Sequence, residues 1–511
     1  MSRNRYAKVN TAGHIRGEQG LSFLKLTEGL APKEIFVVPI EVAKKVHWTL
    51  VCDGSGRILQ PDFDFNSLQE GLDAFVALLR TLIEAHHPRL ILIGVEPTGI
   101  YHEPLLHYLN ATFATELARQ PGDPGLLVRL CYVSSDAVAA NRSEKRLRHF
   151  KTDHVDLACI ADLLLRGEGF PARLPDPTTL QLRVESTLVR HRERQMLHLR
   201  PLMTRLLDSI WPGLILHPDP RGKPHDAGSD LKPLFVDFWG SQKARALILA
   251  CPNPYQVLRL GAPALRDHVK RHSGIKYWGI EVAHKAVAYA QRAPLPPEPA
   301  VYAQIPALLS HLALFNRYQA DIQAAVSRVT VCLVDTPAQH IVDIPSGATP
   351  RLVARFMAYF GDVSYYAHAG QVWSKAGFTP IVYQSGGKFY NGQISKEGSP
   401  GLRAAISILA RSLAYHCAYF GTTFMNACER GKSTAEAYVI TAHQVVRVCF
   451  ALLRDDLPFD PPTIDDYPAF EAAWVARKPA FRHWLRHRPA PSKRPIPKAG
   501  KRKRKRRHRR R

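Results

Sequence analysis

Ile35-Phe36-Val37-Val38-Pro39-Ile40-Glu41 and Arg89-Leu90-Ile91-Leu92-Ile93-Gly94-Val95-Glu96 are two short apolar runs, and each stops at a glutamate. Runs of this length without helical spacing predict strands buried on both faces. Between them, Trp48-Thr49-Leu50-Val51-Cys52 ends at Asp53-Gly54-Ser55-Gly56, a turn signal that predicts a hairpin. Leu72 to Ala85 spaces Leu, Phe, Val and Ile as one helix face. A helix over Glu103 to Asn110, a strand near Leu127 to Val133 and a helix from about Thr152 to Arg166 follow. Strands alternating with helices predict an α/β layered domain.

Chemistry enters at the ends of these elements. Glu41 and Glu96 stand where the runs stop, and Lys151-Thr152-Asp153-His154-Val155-Asp156 opens the closing helix with two acids three apart. Positions i and i+3 share a helix face, so Asp153 and Asp156 can reach a common ion. Hard divalent cations take carboxylate oxygens, and paired Mg²⁺ ions are a common device for breaking phosphodiester bonds. Each acid also has an ordinary explanation: Asp153 suits the positive end of a helix dipole, and a glutamate after a strand is a frequent loop residue. The combination resembles the arrangement of ribonuclease-H-like and RuvC-like nucleases, and predicts a Mg²⁺-dependent enzyme that cuts nucleic acid.

Bulk charge agrees. The formal charge is +25, from 69 Lys and Arg against 44 Asp and Glu, and 13 of the basic residues lie between Lys493 and Arg511. The rest of the chain remains basic without that tail, as expected of a protein that neutralises phosphates. The tail itself reads as a self-repelling arm with general affinity for polyanions. Eight cysteines are scattered singly, which argues against a zinc site and fits a reducing compartment. No run reads as a membrane span and no signal-peptide pattern opens the chain, so a cytoplasmic, nucleoid-associated protein with no membrane partner is expected.

The region after the α/β domain changes character. Thr179 to Ile210 carries an apolar stripe among Arg183, Arg190, Arg192, Arg194, Arg200 and Arg205, predicting one long basic helix with a kink at Pro201. Ala303 to Val334 predicts a second long helix, and the two flank an insert in the manner of an antiparallel coiled coil. From Ile344 the pattern is that of a helical domain with a loop excursion over Thr379 to Pro400. Ser399-Pro400 reads as a helix N-cap with proline behind it, and Ser433 with Glu436 as a capping box. Within the excursion, Ser385 stands before Gly386-Gly387-Lys388, an open turn where a phosphate could approach its hydroxyl, with Lys388, Lys396 and Arg403 to neutralise the charge. Alone, this is also a common turn sequence.

The chain resembles the DEDD transposases of insertion sequences, which are related to the pilin-gene inverting recombinases and are described as RNA-guided recombinases. The resemblance rests on Ile40-Glu41-Val42-Ala43-Lys44, Val95-Glu96-Pro97-Thr98-Gly99-Ile100-Tyr101, Lys151-Thr152-Asp153-His154-Val155-Asp156, the basic helix, Ala376-Gly377-Phe378-Thr379-Pro380, Ser385-Gly386-Gly387-Lys388 and Ile394-Ser395-Lys396-Glu397-Gly398, in that order. It implies an N-terminal arm over 1–33, an α/β RuvC-like domain over 34–168, and a coiled-coil and helical insert over 169–335. A mainly α transposase domain over 336–457 and a Pro-rich, basic tail over 458–511 complete the expected order. It also implies that Glu41, Glu96, Asp153 and Asp156 hold Mg²⁺ and that Ser385 attacks the scissile phosphate. Lys151, Arg183, Arg190, Lys388, Lys396 and Arg403 would then meet nucleic acid. The implied partners are DNA at element ends and target, a structured noncoding guide RNA, and further copies of the chain.

Two departures stand out: Glu41 where the family carries aspartate, and Ser346-Gly347-Ala348 where it carries Gly-Ile-Gly. Two other readings stay open. One is a RuvC-like nuclease or junction resolvase that needs the acids but not Ser385. The other is a catalytically silent nucleic-acid-binding relative.

Overall fold

The computed structural model describes residues 18–97, 99–145, 152–215, 234–334, 336–385, 388–461 and 464–487. The chain divides into two units, Met1–Leu174 and Pro175–Arg511.

In the first unit a helix, α1 (Glu18–Thr27), precedes strands β1 (Ile35–Glu41), β2 (Val46–Asp53) and β3 (Ile58–Asn66). Then come α2 (Gln69–His86), β4 (Leu90–Val95), α3 (His102–Thr112), α4 (Ala114–Ala118), β5 (Leu127–Tyr132), α5 (Ser135–Glu144), α6 (Asp153–Leu165) and β6 (Phe170–Pro171). The sheet order is β3-β2-β1-β4-β5-β6, with β1, β4 and β5 parallel and the other pairings antiparallel. This mixed six-stranded sheet with helices on both faces is consistent with the expected RuvC-like domain.

The two apolar runs fill the centre because each side chain on them finds a helix. Phe36, Val38, Ile40, Ile91, Ile93 and Val95 share a core with Leu72, Phe75 and Leu79 of α2 and Leu105 and Leu109 of α3. The alternate residues Ile35, Val37, Leu90 and Leu92 pack instead with Val138 of α5 and Leu157, Ile160 and Leu164 of α6. Each buried Leu, Ile or Phe is worth about 1.5–3 kcal/mol, which is why both faces are covered. At Gly94 a Cβ would run into the Leu164 side chain, so the missing side chain lets α6 lie close on the sheet. Within the expected N-terminal arm, Phe23 and Leu26 of α1 pack against the α6-side core, because a Phe and Leu residues at helical spacing give this segment an apolar face.

The second unit begins with α7 (Pro177–Ile210), whose start is fixed by the Asp176 carboxylate accepting the Thr179 amide and by Pro177 behind it. The helix continues through Pro201. The insert holds α8 (Gln242–Ala250), α9 (Pro254–Ser273) and α10 (Ile280–Arg292), and α11 (Glu298–Leu333) leaves it. Helices α7 and α11 pack antiparallel: Glu185 pairs with Arg328, Arg192 with Asp321, and Arg200 lies over Phe315.

The C-terminal part comprises α12 (Gln339–Val342), α13 (Pro350–Phe360), α14 (Ala369–Ala376), β7 (Pro380–Ser385), β8 (Lys388–Ile394), α15 (Pro400–His416), α16 (Ala418–Glu429), α17 (Thr434–Asp455) and α18 (Tyr467–His487). Both expected caps are present: Ser399 Oγ accepts the Leu402 amide, and Ser433 with Glu436 forms the capping box. The excursion over Thr379 to Pro400 is a hairpin of two antiparallel strands rather than a loop, since Ile381-Val382-Tyr383 and Phe389-Tyr390 are strand formers flanking two glycines. The Pro-rich segment after Pro458 contains α18, whose Trp474 packs on Ala418 and Met425. Helix α17 is long and apolar enough to cross a membrane by length and composition, against the expectation of no such run. Its apolarity is used here in packing, with Val445, Val446 and Cys449 in the C-terminal core.

Candidate active site

Strand register places the first two acids. Ile40 pairs with Val95 across the parallel β1–β4 ladder, so Glu41 and Glu96 come next, side by side, at the carboxyl ends of adjacent strands. Period-two alternation puts Glu41 on the face of Ile35 and Val37, which is the face α6 covers. Thr152 caps α6, its hydroxyl accepting the Val155 amide at 3.3 Å, and this sets Asp153 and Asp156 in the first turn. Helix α6 is docked at the Glu41 end of β1: His154 stands edge-on to Trp48 with ring centroids 5.0 Å apart, and Trp48 is the register partner of Glu41. His154 also pairs with Asp62 of β3.

The acids differ in setting. Glu41 and Glu96 are half-buried, Asp153 is exposed, and Asp156 is buried at 3% exposure. Arg142 of α5 meets Asp156 at 2.9 Å, its own side chain only 12% exposed. One turn pair further along, Asn141 Nδ2 donates to Asp162 at 2.6 Å, which ties α5 to α6. The structure thus brings the acids together as a strand-end pair and a helix-turn pair. Among the described residues no three His, Cys, Asp or Glu gather closely enough to hold an ion, so the expected convergence of all four is not seen. Asp156 is instead paired with Arg142. The donors still suit a hard cation, being carboxylates only, and the arginine supplies the positive charge such an ion would bring. Arg142 and His154 were not foreseen, because nothing in Ala140-Asn141-Arg142 marks a partner fourteen residues away.

Ser385 ends β7 and pairs in register with Lys388 of β8, leaving Gly386 and Gly387 as the connection. Both are described through their backbone; Gly386, Gly387 and Lys151 lie outside the described residues. The hairpin is anchored at its base. Ser395 N donates to Thr379 O, and Lys396 N to Gly377 O. Arg403, expected to meet phosphate, instead donates to the carbonyls of Ala376 and Lys396 at 2.9 and 3.0 Å, stapling α15 to the hairpin's root. Lys396 holds a left-handed backbone at φ 59° there. Beside the root, Phe378 stands edge-on to His443, which stacks on Trp373 at 4.4 Å, with Arg447 also over the indole ring. Burial holds the His443 imidazole below its ordinary value, with Arg447 adding to the effect.

Arg183 and Arg190, also expected to meet nucleic acid, are tied to α13. Arg183 Nε donates to Ala358 O at 3.3 Å, and Arg190 to the Tyr359 hydroxyl at 3.2 Å. Nearby, Arg355 is pushed below its ordinary value by burial, with Arg190 and Arg194 adding to the shift.

Residues 38–212 match the family model described as transposase, of the IS110 DEDD type, and residues 339–424 match that of the transposase IS116/IS110/IS902 family. The two matches cover both halves of the same kind of enzyme and just over half of the chain. The chain belongs to the IS110-type transposases. No curated protein matches it. An IS110-type transposase is a DNA-processing enzyme that binds DNA, and its DEDD family suggests use of a divalent metal. The first match spans all four acids of this transposase, the second spans Ser385, and neither covers 213–338.

Proposed function

We propose that this transposase cuts and rejoins DNA strands at the ends of its element by phosphoryl transfer, with Glu41, Glu96, Asp153 and Asp156 as the metal-holding acids and Ser385 as the nucleophile. The observation that carries the reading is the register of Glu41 beside Glu96 on the face where α6 begins with Asp153 and Asp156. Four acids from two strand ends and one helix turn are a donor set for a hard cation such as Mg²⁺. When bound, that ion supplies charge neutralisation at the scissile phosphate.

The chain's own residues do the rest. The Ser385 hydroxyl oxygen forms a bond to phosphorus, the bond from phosphorus to the leaving strand oxygen breaks, and that oxygen takes up a proton. The energy of the phosphodiester stays in a phosphoserine ester. Attack by another strand's hydroxyl restores the serine and joins the strands without an external energy source. Gly386 and Gly387, which follow the serine in sequence, bring no side chains of their own. The ordered set of motifs supports guidance by a structured RNA and action by an assembly of several copies.

The test is a labelled DNA carrying the element ends, incubated with the protein in Mg²⁺ and resolved under denaturing conditions. Wild-type protein should give a shifted protein–DNA band. Ser385→Ala should lose both the band and strand exchange while still binding DNA. Asp153→Asn, at an exposed position, should lose both without loss of stability. Free cut ends from Ser385→Ala would replace this reading with a plain nuclease, and normal exchange by Asp153→Asn would remove the acids from the mechanism.

A further inference from the structure

The insert between α7 and α11 lies outside both family matches, so its role is not inherited from them. Residues 234–297 carry nine Lys and Arg against three Asp and Glu. The charge is concentrated where α8 begins and α9 ends. A cleft of about 680 Å³ is lined there by Ser241, Gln242, Lys243, Ile275, Lys276 and Tyr277. Two of these are lysines and none is acidic. Neither lysine is in an ion pair among the described residues; of the acids nearest in sequence, Asp237 is held by Arg200 at 3.2 Å, and Glu281 stands in the first turn of α10. The last turn of α9 adds Lys270 and Arg271 just before the cleft.

Tyr277 gives the cleft its second property. It is 69% exposed, which leaves its ring open to a ligand. The position is built rather than loose. The neighbouring Trp278 is fully buried, and its indole N–H donates to the Lys243 carbonyl at 3.0 Å. That bond fixes the 274–278 segment against α8. Lys243 Nζ sits 4.8 Å from the Tyr277 ring centroid, covering part of the ring with a positive charge. A core needs neither an outward-facing tyrosine nor a carboxylate-free pair of lysines. A polyanion with flat, apolar faces uses both.

We propose that this cleft binds an unpaired DNA strand, stacking a base on Tyr277 and meeting its phosphates with Lys243 and Lys276. An aromatic platform beside a positive groove is how single strands are held without reading their sequence. A duplex keeps its base faces inside the stack and cannot use the ring. The choice of DNA rests on the DNA-processing reading, but requires neither the four acids nor Ser385.

Full-length protein is mixed with a single-stranded oligodeoxythymidylate in which one thymine is replaced by 5-iodouracil, irradiated, digested and mapped by mass spectrometry. A cross-link at Tyr277 is expected. Tyr277→Ala should weaken single-strand binding by about 5- to 150-fold, the range for loss of one stacked base. It should leave duplex binding and covalent strand capture unchanged, and the ring's exposure makes misfolding no explanation. Lys243→Gln with Lys276→Gln should flatten the salt dependence of single-strand affinity by about 1.4 in log–log slope, about 0.7 per phosphate. Duplex binding and strand capture by a protein with no cross-link at Tyr277 and unchanged single-strand affinity in Tyr277→Ala would overturn this inference and leave the transposase reading standing. Cross-linking of the matching uridine RNA in preference to DNA would overturn the choice of DNA. A protein that bound no DNA at all would overturn both.

Discussion

Replacing Arg142 with glutamine tests whether the first turn of α6 is held as a charged site. The Arg142–Asp156 pair is 2.9 Å long with side chains 12% and 4% exposed. Removing one partner of a buried pair costs about 3–5 kcal/mol, because the remaining charge is left in a poorly solvated place. The lower end applies here. Asp156 lies in the first turn of α6, where the helix dipole favours its charge by about 0.3–1 kcal/mol. A loss of about 3 kcal/mol corresponds to roughly 150-fold in the opening equilibrium. Hydrogen exchange of peptides covering α6 reads this directly, since its amides exchange through opening of the unit. Arg142→Gln should speed their exchange by about that factor. Arg142→Gln combined with Asp156→Asn should recover most of the protection, because no buried charge is left alone. Adding Mg²⁺ should protect Arg142→Gln more than wild type, as a cation in the carboxylate site stabilises only the folded state. An unchanged exchange profile in Arg142→Gln, or a double variant as labile as the single one, would refute the reasoning.

Two further outcomes follow from packing and titration in the C-terminal part. Gly421 has no room for a Cβ because the Trp474 indole lies on it, so Gly421→Val should release α18 from α16, seen as faster exchange over 467–480 and little change in α15. His443 is held neutral by burial, below its ordinary value of 6.5. Its contribution to stability is therefore full above that value and lost as pH falls from it through the lower folded value. The thermal midpoint should drop as pH falls below 6.5, and less steeply in His443→Phe; an equal drop in both would assign the sensitivity to other groups.

The central sheet was legible because its signals are local and agree with each other. Apolar runs of strand length, a Gly-rich turn after Cys52 and helical spacing in Leu72 to Ala85 each predict one element, and the layers follow from alternation. Three elements were misread for the opposite reason. The β7–β8 hairpin follows a helical region and carries polar residues such as Gln384 and Asn391, so its strand character competes with the glycines at its tip. Helix α18 carries Pro479 in its interior, which reads as a helix breaker in the sequence, and shows its purpose only when Trp474 meets Gly421. Helix α1 sits in a polar stretch, and the residues its Phe23 meets come far later in the chain.

The candidate site divides along the same line. Residues that end or start an element are written in the sequence: Glu41 and Glu96 at strand ends, Asp153 and Asp156 behind the Thr152 cap, Ser385 before two glycines. What each side chain touches is not written there. Arg183, Arg190 and Arg403 read as phosphate contacts from charge alone, yet each spends donors on backbone or tyrosine oxygens within the fold, because a guanidinium has more donors than one ion pair uses. Arg142 read as nothing and holds the most buried acid. Charge read from sequence therefore identifies the sign of the surface, while the residues left to meet DNA are those the fold does not employ. By that criterion Lys243, Lys276 and Tyr277, which the motif pattern never singled out, have a stronger claim on nucleic acid than Arg183 or Arg190.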